Sequence, residues 1–150
     1  MKFSRSATAT ALVAGVTWIL WACGGSEGER EVLSEAATPA VTIVSPSDHR
    51  TFEGSVTVRL ETHGVEIRPA GTDEPGTGHH HLFIDRDITP VGEPIPSVAG
   101  IVHLGMAQME YVFEDLPPGD HTIIAVLGDH VHTRLPNVAT DTVHVTIAGT

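Results

Sequence analysis

The sequence predicts an all-β protein: a single immunoglobulin-like β-sandwich with two long loops. Three observations predict it. From Ala40 onward, apolar and polar residues alternate with a period of two in several short runs. Gly- and Pro-rich turn chemistry separates those runs. No window past residue 40 sustains the 3.6-residue period of a helix.

The elements follow in order. Val41 and Ile43 face one way with Thr42 opposite, and Ser45-Pro46-Ser47-Asp48 supplies a turn. After Gly54, Val56, Val58 and Leu60 point to a core while Thr57, Arg59 and Glu61 point to water. His79–Asp85 reads as a third strand and Met109–Phe113 as a fourth. Leu116-Pro117-Pro118-Gly119-Asp120 is a turn that leads into His121–Leu127, apolar on both faces and therefore central. Val143, Val145 and Ile147 alternate with Thr142, His144 and Thr146 in a last strand. Two segments break the pattern, Val65–Gly78 and Asp87–Gly100, both rich in Gly or Pro. Loops of that length on a strand scaffold are where binding surfaces are commonly built. The whole globular part, residues 40–150, has a length usual for an immunoglobulin-like sandwich. No internal repeat is visible.

The first 39 residues read differently. Lys2 and Arg5 precede a run of small and apolar residues, Ala7–Ala22, too short to span a bilayer comfortably and laid out like an export signal. It ends in Leu20-Trp21-Ala22-Cys23, which resembles the lipobox of bacterial lipoproteins. Cys23 is also the only cysteine among 150 residues, so no internal disulfide can form. The resemblance implies removal of residues 1–22 and acylation of Cys23. Residues 23–39 then form a lipid-anchored flexible tether, polar and Gly/Glu-rich. It also implies an exported, membrane-anchored protein on the periplasmic face of the outer membrane or the cell surface.

The formal charge is −11. Once Lys2 and Arg5 are removed, six basic residues remain, all Arg, against 19 acidic ones. Such a surface repels phosphate backbones and argues against nucleic acid as a partner. Cations and basic protein patches suit it better.

Ten histidines stand out. In an extended strand, residues i and i+2 share a face about 6.6 Å apart. His79 and His81 can therefore converge on one ion while His80 points away, beside Leu82 and Ile84. His130-Val131-His132 repeats the spacing. Neutral imidazole suits copper, zinc, nickel and iron. A site needs three or four ligands, and folding would have to bring His79, His81, His103 and His132 together. His80, His130, Asp129 and Met106 are the further candidates for supporting or alternative ligands. Asp129 could orient an imidazole, and Met106 would bring a thioether suited to Cu(I). The competing reading is that the histidines pin loops to strands through hydrogen bonds to backbone groups. His49, His63, His121 and His144 read as ordinary surface or edge residues, and Asp85-Arg86-Asp87 as a solvated turn. No nucleophile–base pair and no signature of a hydrolase, metalloprotease or nucleotide-binding enzyme is present, so catalysis is not expected.

The run from Pro69 through Gly76-Thr77-Gly78-His79-His80-His81 to Asp85 resembles the signature of the domain of unknown function 4399 family. Pro94-Ile95-Pro96, His103-Leu104-Gly105 with Gln108 and Glu110, Leu116–Thr122 and Gly128–His132 are similar to its later elements. The resemblance covers roughly residues 40–148. Ile101 stands where that family carries a histidine, and Arg134-Leu135 where it carries Pro-His. Two functional readings follow. One is a histidine-lined site for a transition metal, copper or zinc, in a lipid-anchored envelope protein. The other is a non-catalytic module for an envelope protein or glycan, its histidines structural.

Overall fold

The computed structural model describes residues 37–149. The expected signal segment 1–22, the anchor Cys23 and the tether up to residue 36 lie outside the described residues. Nine strands make up the fold: β1 Ala40–Ser45, β2 Arg50–Phe52, β3 Val56–His63, β4 Glu66–Ile67, β5 Thr77–Ile84, β6 Ile101–Leu104, β7 Glu110–Phe113, β8 Gly119–Gly128 and β9 Asp141–Ile147. There is no helix among the described residues.

The strands form two sheets, β1-β3-β7 and β2-β9-β8-β5-β4, with β6 also paired to β5. β4 and β6 share one edge of β5: β4 runs parallel beside Thr77 and Gly78, and β6 antiparallel beside His80–Phe83. β2 is parallel to β9, so the first part of the chain starts in one sheet and crosses to the other. This is the arrangement of an immunoglobulin-like sandwich, with the consecutive strands β8 and β9 beside β5 in one sheet and β3 paired to β7 in the other.

Alternation explains the core. Val56, Val58 and Leu60 of β3 are at most 3% exposed and pack across the sandwich against Leu82, Ile123, Ala125 and Val145. Burying each Val, Leu or Ile side chain contributes about 1.5–3 kcal/mol. The other face of the larger sheet carries a second, smaller cluster of Phe83, Ile95 and Val126, flanked by Ile88, Ile101 and Ile124. Ile88 and Ile95 belong to the loop between β5 and β6. That loop therefore roofs β5 and β8, which is why both strands are apolar on both faces.

The roof is tied down at several points. Ile84 N–H donates to the Gly100 carbonyl, Ile95 N–H to that of His132, and Gly92 N–H to that of Arg134. Arg86 and Arg134 donate through their guanidinium groups to the carbonyls of Ala99 and Thr89. At the end of β5, Asp85 adopts a left-handed φ of 53°. Its N–H donates to the Thr122 carbonyl, and its Oδ1 accepts from Thr122 N–H at 2.8 Å.

Candidate metal centre

The site lies under this roof, on the outer face of the larger sheet. Period-two alternation along β5 sends His79, His81 and Phe83 outward and His80 and Leu82 inward. Pairing with β6 then sets His103 directly opposite His81. The fourth histidine arrives on a tight turn after β8. Asp129 organises that turn: its Oδ1 accepts from the N–H groups of Val131 (3.0 Å) and Thr133 (2.8 Å), and its carbonyl from His132 N–H. The turn holds His132 at φ 66°, a region few non-glycine residues adopt. The conformation carries its imidazole back over β5.

The structure brings His79, His81, His103 and His132 together. One ring nitrogen from each lies within 4.8 Å of the others. The six ring-centre separations fall between 4.6 Å (His103–His132) and 5.7 Å (His81–His132). A tetrahedral ion held at nitrogen distances of about 2.0–2.1 Å sets ring centres about 5 Å apart. Four rings gathered around one point therefore have the size that such an ion requires. His79 and His81 are buried at 1% and 2% exposure, His132 is half-buried and His103 is exposed.

Two glycines make the packing possible. A Cβ on Gly128 would stand 2.9 Å from Cε1 of His81, and one on Gly105 would collide with the ring of His103. Both rings occupy space that a side chain on the glycine would fill.

Burial dominates the electrostatics. Desolvation first, then the neighbouring imidazoles of His132 and His103, push His79 down to about 4. Desolvation, then His79, His103 and His132, push His81 down to about 3. His103 is lowered by the same two causes in the same order. His79 and His81 are therefore neutral at pH 7, the form in which imidazole binds a metal. His79 Nε2 and His81 Nδ1 are buried and have no hydrogen-bond partner. Buried polar atoms are nearly always paired, so two orphans in one cluster require an explanation.

The histidines outside the cluster look different. His80 is fully buried in the core, where Nδ1–H donates to the Gln108 carbonyl at 3.0 Å and Nε2 accepts from the Thr62 hydroxyl at 2.9 Å. Burial holds it below the ordinary histidine value. It is a pinning residue and contributes nothing to the cluster. His121 departs from the expectation of a surface residue: it is buried, with Nδ1 at 2.6 Å from Asp85 Oδ2 and Nε2 at 2.8 Å from the Pro117 carbonyl. Both partners only accept, so both nitrogens donate and the ring is an imidazolium. Burial acts to lower its pKa, but the Pro117 carbonyl and the Asp85 carboxylate outweigh that and raise it. Asp85 is correspondingly not part of a freely solvated turn.

Of the other expected contributors, Asp129 supports the turn as described. His130 stands 3.6 Å from Asp73 Oδ1, outside the cluster, and Met106 is 77% exposed, also outside it. One grouping escaped the sequence reading. Asp48, His49 and His144 meet at the surface, the two rings stacked 5.3 Å apart at 11°. The Asp48 carboxylate is already engaged by both histidines and by His144 N–H, and that backbone bond is the main cause holding its pKa low. No sequence signal could join positions 96 residues apart.

Fold and site together define a β-sandwich of immunoglobulin-like class with a four-histidine cluster on one sheet face. The chain belongs to the family described as a domain of unknown function (DUF4399), which matches residues 58–148. No curated protein matches it. Among solved structures, it is similar to the endo-beta-1,4-mannanase from Thermotoga petrophila at 11% identity and a TM-score of 0.46, over 78% of this chain and 21% of that one. It is also similar to the fibronectin(III)-like modules of Clostridium thermocellum CbhA at 15% identity and a TM-score of 0.43, over 74% of this chain and 47% of that one. The chain thus spans about a fifth and about half of those two chains.

Proposed function

We propose that this is a lipid-anchored envelope protein whose sandwich domain binds one transition-metal ion, copper or zinc, through His79, His81, His103 and His132. One observation carries the reading, and it is a contrast within the molecule. His80 and His121 are histidines used structurally in this fold, and each has both ring nitrogens paired. His79 and His81, equally buried, each leave a nitrogen unpaired in the company of two further imidazoles. Leaving a buried polar atom without a partner costs about 1–3 kcal/mol. Coordination of a metal through those nitrogens would remove that cost.

The donor set fits the proposed ions. All-imidazole sites suit zinc and copper and offer nothing to calcium or magnesium, which want oxygen. The acidic surface favours approach of a cation. Binding rather than catalysis is the proposed activity. The anchor, through Cys23, rests on the Leu20-Trp21-Ala22-Cys23 pattern, and labelling of the expressed protein with a fatty-acid probe, lost in Cys23→Ser, tests it.

The decisive experiment on the domain is metal analysis of the untagged protein, followed by calorimetry with Cu²⁺ and Zn²⁺. One equivalent bound tightly, and lost in a His79→Ala/His81→Ala double variant, supports the reading. Affinity no better than millimolar for both ions would leave the histidines as packing residues in a module for a protein or glycan partner.

A further inference from the structure

A cavity of about 110 Å³ adjoins the four-histidine cluster, lined by His81, Ile95, Pro96, Ser97, Ile101, His103 and His132. Three of the four imidazoles face it, and His79 does not. A metal at the cluster is thus covered by His79 on one side and borders an open space on the other. That space holds more than one water, each of which takes about 30 Å³ in the liquid.

Its chemistry is specific. Ile95, Pro96 and Ile101 form an apolar side, and the three imidazoles with the Ser97 hydroxyl form a polar one. The wall is also fixed. Ile95 N–H is bonded to the carbonyl of His132, and the loop's end is held by Gly100 and Ala99. Four neutral imidazoles bring no negative charge, so a divalent ion bound to them keeps its full charge. A dication beside a pocket that offers one hydroxyl donor and no carboxylate is an anion receptor, because nothing in the lining competes for its charge.

We infer that the metal-loaded site takes a small monoanion of up to about three heavy atoms as an additional ligand, seated in this cavity against Ser97. The inference rests on the metal-binding reading above and goes further than it. A site whose ion were sealed on all sides would store metal or brace the fold. This one presents the ion to small solutes.

The test uses the untagged full-length chain loaded with Cu²⁺, with copper content measured first, and azide as the probe. The expected result is a saturable charge-transfer band in the visible spectrum at one azide per copper, with copper still bound after the titration. Replacing Ser97, which is exposed in the loop, by Trp fills the cavity mouth, and Ile95→Phe fills its wall. Each is expected to weaken azide at least tenfold at equal copper occupancy. The Ser97 variant keeps the test informative if Ile95→Phe fails to fold. One equivalent of copper with no azide band overturns this inference and leaves the metal reading standing. Absence of copper binding overturns both. An azide band of unchanged affinity in Ser97→Trp places the anion elsewhere and overturns the assignment to this cavity.

Discussion

The Nε2 atoms of His103 and His132 stand 3.1 Å apart, although the residues are 29 positions apart in the chain. Without an ion, one of these two rings must donate to the other. With an ion at about 2.0–2.1 Å from each, their tetrahedral separation would be about 3.3 Å. For this pair, little movement separates the two conditions. His103 is exposed, so its removal opens no core cavity. His103→Ala is expected to leave the folding midpoint in the absence of metal nearly unchanged and to weaken zinc or copper at least tenfold. Competition against a chromophoric chelator reads the affinity, and an unaltered value would exclude His103 as a ligand.

Asp129 shapes the turn without belonging to the cluster. Its Oδ1 takes both Val131 and Thr133 N–H groups, and so maintains His132 at its left-handed φ. Groups that hold a ligand in place typically contribute 10–100-fold in metal affinity. Asp129→Ala is expected to lose affinity within that range. Asp129→Asn retains an oxygen acceptor and should recover most of it. Equal losses in both variants would mean that charge, not turn geometry, is what Asp129 supplies.

His80 gives the opposite outcome. It has no exposed surface and spans Thr62 and the Gln108 carbonyl. His80→Ala leaves a core cavity and two unpaired polar groups, and is expected to cost about 2–4 kcal/mol in denaturant unfolding. One metal ion per chain should still bind. A variant of wild-type stability would show that Thr62 and Gln108 find other partners.

Gly128 tests the close packing on the sheet. A Cβ there would meet His81 at 2.9 Å and Ile95 at 3.3 Å, so one of them must shift. Gly128→Ala is expected to destabilise by about 1–3 kcal/mol and to lower metal affinity through displacement of His81. Unchanged values for both would mean that the ring moves freely.

The His121–Asp85 pair gives a pH dependence. His121 has a folded pKa above its unfolded value. Its stabilisation is therefore fully present below about pH 6.5, the unfolded value, and disappears as pH rises through the folded one. Asp85→Asn keeps an acceptor for Thr122 N–H and removes the charge. The variant's melting temperature is expected to lie well below wild type at pH 5.5 and to approach it at pH 9. A gap of the same size at both values would show that the contact is not ionic.

Much of the fold is legible because β3 and β9 alternate cleanly and β5 and β8 are long apolar runs bounded by turn residues. β2, β4 and β6 have two to four residues. They exist because a neighbouring strand offers backbone partners, and their own composition carries no pattern. The position of His79 and His81 on one face, and of His80 on the other, followed from strand period alone. That His103 stands opposite His81 depends on the β5–β6 register. That His132 reaches them depends on a turn conformation. Neither is written in local spacing. The burial of His121 is hidden from local spacing for the same reason, since its partner Asp85 lies 36 residues away.

The ligand set draws on β5, β6 and the turn after β8, three stretches far apart in sequence. In a chain whose only cysteine is Cys23, an ion there would cross-link the domain as a disulfide does, by closing long loops of the unfolded chain. Unlike a disulfide, this link would be made and unmade by supply. Ligand concentration sets the added stability. The protein's survival against proteases would then report, molecule by molecule, how much metal its compartment contains.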